Sequence, residues 1–215
     1  MPLSMPLIRR ALFALAVLAA APLLTAGPAA AAPNAAEAFV DDNIHKGLDI
    51  LRDRKLSTVQ RRDQFETLLF SLVDMRRVAL FTLGKYRRTF SPAEIDAFVG
   101  AYRGYAAAAY QLYFAKYTNQ TLKLVGSTAN SPTDYTVHTV LVEPGSDKQP
   151  AKVDFRIYTD SGKPVLMDAG YENIWLSQTQ REQFVSVLDQ NNGNMRALIT
   201  ALSDMAANLG KTANN

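Results

Sequence analysis

No cysteine occurs anywhere in the 215 residues, which excludes a disulfide framework and thiolate chemistry alike. Histidine is nearly as scarce. His45 and His138 stand far apart, too few for the His and Cys sets from which zinc sites are usually built. The G-x-x-x-x-G-K-[ST] and G-x-G-x-x-G phosphate loops are missing, as is the G-x-S-x-G of a nucleophile elbow. These absences lead to the expectation of a protein without metal, cofactor or catalytic residues. Nor is there a surplus of one charge: 23 Lys and Arg stand against 20 Asp and Glu. The basic clusters are short and mostly interrupted by acids, so the broad basic face of a nucleic-acid-binding protein is not expected.

What is present begins at the N-terminus. Residues 1–10 carry Arg9 and Arg10 and no acid, 11–24 are almost wholly apolar, and Ala29, Ala30 and Ala31 are small. Charge, apolar run and A-x-A form the layout of a secretory signal peptide, expected over 1–31. The apolar run is shorter than the roughly 20 residues of a membrane span, which leaves a retained anchor as the weaker alternative. The expected mature chain, 32–215, loses Arg9 and Arg10, so its excess of positive charge falls to about one. Its length fits a single domain.

Hydrophobic periodicity then divides the chain into helices, strands and helices. A first helix is expected over 34–51. A second follows the capping box Ser57 to Gln60, with the stripe Phe65, Leu68, Leu69, Leu72 and Val73. Asp74 caps a short helix that stops at Gly84. Ser91, Pro92 and Glu94 open a long helix to about 116, in which alanines interleave with Tyr102, Tyr105, Tyr110 and Tyr113. From Thr121 the period changes to two, and turn signals at 131–132, 143–145 and 160–162 separate four strands. Ser177 to Gln180 reads as another capping box, and Met195, Leu198, Ile199 and Leu202 mark a last helix. Helices grouped around an antiparallel meander mean an α+β fold.

Several of these stretches carry a resemblance. Asp74-Met75-Arg76-Arg77-Val78-Ala79, then Leu83-Gly84-Lys85-Tyr86-Arg87-Arg88, is similar to the D-x-x-R-x-A…L-G-[KR]-Y-W-R segment of the MlaC-type, or toluene-tolerance, family of periplasmic phospholipid-binding proteins. The likeness continues through Ser91 to Glu94, Val153 to Ile157, Arg181 to Leu188 and Gly193 to Ile199, in family order. It departs in two aromatic positions: Arg87 stands where the family has Trp, and Gly162-Lys163-Pro164 lacks another, while Trp175 is present nearby.

The resemblance implies a cystatin-like, nuclear-transport-factor-like fold, in which a curved four-stranded antiparallel sheet and helices enclose an apolar cavity. It implies a periplasmic carrier that moves phospholipid between an outer-membrane lipoprotein complex and an inner-membrane ABC transporter complex. A hopanoid-associated branch of the family makes a sterol-like cargo an alternative. Within that frame Val137, Thr139, Leu141, Val153, Phe155 and Ile157 on strands, and Tyr102, Ala106, Ala109 and Tyr113 on the long helix, are the expected lipid-lining residues. Lys85, Tyr86, Arg87 and Arg88, expected in an exposed loop, are the candidates for headgroup or partner contact, because arginine binds phosphate and carboxylate through charge-assisted hydrogen bonds. Two other classes compete. An enzyme on the same fold would use Asp168, an acid in an apolar strand whose carboxyl pKa burial raises. A protein-binding adaptor would carry no lipid.

Overall fold

The computed structural model describes residues 34–213, apart from Lys116, Ser146 and Lys148. The expected signal peptide and its cleavage point lie outside them. Helix α1 (Ala35–Arg52) starts where Asn34 accepts hydrogen bonds from the backbone N–H groups of Ala36 and Glu37, both at 3.0 Å, while Glu37 reaches back to the Asn34 N–H. The Asn34 amide also donates to Ser127 Oγ at 2.7 Å, tying the helix start to the sheet. Helices α2 (Thr58–Leu72) and α3 (Met75–Thr82) begin at the expected caps, Ser57 and Asp74. Gly84, at φ +54°, turns the chain into a short 3-10 helix, Gly84–Arg88. Then come α4 (Pro92–Ala115), the strands, α5 (Leu176–Gln190) and α6 (Met195–Ala213).

The sheet runs β1 (Thr121–Ser131), β2 (Asp134–Val142), β3 (Ala151–Tyr158), β4 (Val165–Tyr171) and β5 (Ile174–Trp175), antiparallel and in chain order, open at both edges. It thus has five strands where alternation leads one to expect four. The fifth is two residues long, too short to alternate. Its turn uses Glu172 and Asn173 at φ +48° and +67°, without the glycine that usually signals a two-residue hairpin. A bulge at Val125, beside Gly126, breaks the β1–β2 register and bends the edge.

Two apolar clusters hold these elements. One joins α3, α4, α5 and α6 through Leu83, Phe98, Tyr102, Phe184, Leu188, Leu198 and Leu202, all 0–4% exposed. Phe184 meets Phe98, Tyr102 and Tyr105 edge-on at centroid distances of 6.1–6.3 Å, a favoured aromatic geometry. The other packs Ala36 and Val40 of α1 on Val137 and Ile157 of the sheet.

Candidate functional site

Register assigns every strand side chain to a face. Leu124, Thr139, Val153, Tyr171 and Ile174 pair across all five strands in one row. The next rows on that face hold Val137 with Phe155, and Tyr135 with Ile157. This is the face that α1 covers, and it covers only part of it. Val137 and Ile157 are fully buried, and Thr139 is buried with its hydroxyl donating to the Val153 carbonyl at 2.7 Å. Leu124, Leu141, Val153 and Phe155 are only half-buried.

The same half-burial runs along the neighbouring helices. No residue of α2 is buried, although its stripe Phe65, Leu68, Leu69 and Leu72 has the spacing of a core-facing helix. Ala106 and Ala109 of α4 are half-buried, and Tyr110 stacks on Phe65 at 5.4 Å. Tyr113 lies on α4, with its side chain outside those described. Tyr102, one of the expected lining residues, belongs instead to the packed core. It is 4% exposed, and its hydroxyl donates to Gln180 at 2.7 Å. Between α2 and α4 a groove of about 420 Å³ is lined by Asp63, Glu66, Thr67, Phe70, Ser71 and Arg103, with the Arg103 guanidinium 4.7 Å from the Phe70 ring centre.

Asp168 has a structural occupation. Its carboxylate accepts from the Ser177 hydroxyl at 2.5 Å and from the N–H groups of Ser177 and Ala169, each at 2.9 Å. This corrects the expected cap of α5. Ser177 does not precede the helix but sits in its first turn, and the N-cap residue, Trp175, makes no side-chain cap bond. The buried first-turn N–H of Ser177 is satisfied from β4 instead. Burial pushes the Asp168 carboxyl up, against those hydrogen bonds and nearby Arg156. The opposite face of the sheet is polar. His138 bridges Thr128 and Asp154, 2.9 Å from each, and Lys152 reaches Asp154 at 3.3 Å, a brace across β1, β2 and β3. His45 lies apart on α1 beside Asp41. Among the described residues no three His, Cys, Asp or Glu side chains are grouped to hold a metal ion, and no helix is long and apolar enough to cross a membrane.

The basic segment is a 3-10 helix rather than the expected loop, and it divides in two. Lys85 Nζ and the Tyr86 hydroxyl meet Asp189 of α5 at 2.6 and 2.7 Å. The hydrogen bonds from Lys85 and Tyr86 hold the Asp189 carboxyl below its usual range. Tyr86 is half-buried against Phe90 and Gly193. Arg87 and Arg88 are exposed.

The fold resembles that of a phospholipid-binding protein from Ralstonia solanacearum, solved in complex with a phospholipid, with a TM-score of 0.64 and 21% identity. The match covers 83% of this chain and 99% of that one. No curated protein matches it. The model of the MlaC protein family matches residues 41–204. With three quarters of its length inside that match, and the expected α+β architecture in place, the chain belongs to the MlaC family.

Proposed function

We propose that this protein is a periplasmic carrier that holds one phospholipid between α1, α2, the second half of α4 and the helix-covered face of the sheet. The carrying observation is the apolar surface left half-exposed there: Phe65, Leu68, Leu69 and Leu72 on α2, with Leu124, Leu141, Val153 and Phe155 on the strands. A single domain normally fills such a space with its own side chains. Ala106 and Ala109 leave room for acyl chains to approach α4. Val137, Thr139 and Ile157, at 0–1% exposure, act as the wall behind the strand lining, while Tyr102 stays in the packed helical core.

A carrier of this kind works by near-balance. Each buried CH₂ is worth roughly 0.8 kcal/mol against water, so two acyl chains in free solution are out of reach by about 20 kcal/mol or more. Exchange between a bilayer and an equally apolar cavity costs far less. Direction then comes from partners, which in this reading are an outer-membrane lipoprotein complex and an inner-membrane ABC transporter complex. Arg87 and Arg88 are the proposed contacts for a phosphate headgroup or an acidic partner surface. Lys85 and Tyr86 hold the segment in place through Asp189. Family membership and the lipid bound by the Ralstonia protein support this reading.

Native mass spectrometry of protein purified from its own periplasm, followed by organic extraction, tests it. About one two-tailed lipid per chain is expected, and delipidated protein should take up lipid from vesicles. An extracted polycyclic lipid would move the reading to the hopanoid-type cargo. Protein that is empty when isolated and takes up nothing would overturn it in favour of an adaptor.

A further inference from the structure

Half of the exposed large hydrophobic side chains of the described chain fall within six residues. Tyr171 is 56% exposed, Ile174 66% and Leu176 51%. Tyr171 and Ile174 are a cross-strand pair on the β4–β5 hairpin and end the row that begins at Leu124 and passes through Val153. The apolar face of the sheet therefore continues past its helical cover and emerges at the hairpin. The tip is held rather than loose. Glu172 folds back so that its carboxylate accepts from the Lys152 N–H at 2.6 Å, and its own N–H donates to the Lys152 carbonyl at 3.0 Å. Lys152 Nζ donates to Asn173 at 2.9 Å. The ring of Trp175 lies on Gly170, where a Cβ would come within 3.2 Å of it.

We propose that this hairpin docks on the surface of a lipid bilayer, with Tyr171, Ile174 and Leu176 entering the headgroup boundary. The side-chain set is that of a membrane interface: Tyr171, an aromatic with a polar tip, beside the aliphatics Ile174 and Leu176, with Lys152 behind them. The acid of the tip is turned back toward β3. The patch is also the wrong size for a protein partner. Tyr171 and Ile174 flank the two-residue turn and Leu176 opens α5; three such side chains fall well short of the roughly 800 Å² per partner of a standard protein interface, whereas shallow insertion at a bilayer needs only a few apolar groups. Docking there would set the open end of the lipid-facing row against the membrane. That purpose rests on the carrier reading; the docking itself does not.

Trp175, the chain's one tryptophan, reports the event without labelling. The full mature protein is mixed with vesicles of phosphatidylethanolamine and phosphatidylglycerol, with and without brominated acyl chains, and co-sedimentation is measured in parallel. Brominated vesicles should quench Trp175, and the protein should sediment with them. Quenching should disappear when the protein is separated from the vesicles, which distinguishes docking from uptake of a brominated lipid. Replacing Tyr171, Ile174 and Leu176 together with Ser should abolish both signals and leave the thermal melt unchanged. Absence of quenching and co-sedimentation in wild type would overturn the proposal, as would undiminished binding by the triple variant. So would a self-association of wild type that the triple variant loses, because the patch would then belong to a second copy. Lipid extracted from the same samples separates the two readings: a loaded protein that does not dock sinks the docking alone, and an empty one that docks sinks the carrier alone.

Discussion

The two apolar regions of this protein are built from similar residues and finished differently. In the α3–α6 bundle, Phe98, Phe184, Leu188, Leu198 and Leu202 are completely buried. On α2, Phe65, Leu68, Leu69 and Leu72 follow the same periodicity, and no residue of that helix is buried. Apolar residues at helical spacing thus occur in both regions with different degrees of burial. One closes a core by interdigitation. The other is left half-buried, and under the proposed function it lines the space that a lipid fills. Stability should reside mainly in the first region and ligand binding in the second.

The sharpest way to break that division is to truncate one aromatic in each region. Phe184→Ala should cost about 3–5 kcal/mol in urea unfolding, the usual loss for a fully buried phenylalanine. Phe155→Ala, half-buried, should cost no more than about 1–2 kcal/mol and should weaken lipid uptake instead. Equal costs would merge the two regions into one core.

Asp168→Ala tests the joint between sheet and bundle and should cost about 0.5–2 kcal/mol, as for loss of a helix cap. Asp168→Asn keeps an acceptor for the Ser177 N–H and should cost less. The sign of the pH effect is informative. Burial holds the Asp168 carboxyl above its ordinary value of 3.8, so the folded chain favours the protonated form. That contribution is fully present below the ordinary carboxyl value and is lost as pH rises through the raised one. Unfolding curves across that window should be flatter in Asp168→Asn than in wild type. An unchanged slope would take Asp168 out of the account.

Smaller still on stability, and complete on uptake, should be Ala106→Trp and Ala109→Trp. Against the proposed lipid space a large side chain should cost less than the 1–3 kcal/mol of an overpacked core, yet it should occupy the volume assigned to acyl chains. Melting curves beside vesicle uptake separate these outcomes, and a large drop in melting temperature with normal uptake would return α4 to the core. Arg87→Ser with Arg88→Ser should leave the melting temperature unchanged, since exposed charges add little. It should slow transfer to partner complexes, and added salt should slow wild type in the same way. Rates indifferent to both would remove this segment from the binding surface.

Much of the architecture was legible in the sequence because local chemistry dictates it. The Ser57, Asp74 and Ser91 caps each pair a side-chain oxygen with a nearby backbone N–H, and spacing alone reveals such pairs. The four longer strands announce themselves by alternation. What was illegible is non-local. Ser177 has the spacing of a cap, yet its acceptor is Asp168 on another element, which no local pattern encodes. The tie of Lys85 and Tyr86 to Asp189 spans about a hundred residues in the same way. The proposed lipid-facing surface was legible in part. Strand alternation selects Leu141, Val153 and Phe155, but an apolar stripe reads alike whether it is packed or open. Spacing therefore groups Tyr102 with the lining and shows the α2 stripe without showing whether it is packed.

The sheet pairs its strands strictly in chain order, and this has a kinetic consequence. Each β pairing closes a short loop, so little chain entropy is lost before contacts form. The α4–α6 packing and the Asn34–Ser127 bond each bridge some ninety residues. A chain that reaches its compartment unfolded should therefore assemble the meander early, with α1 and the closing helix settling on it afterwards. Pulse-labelled hydrogen exchange would register this as protection of the β2 and β3 amides before those of α1 and α6.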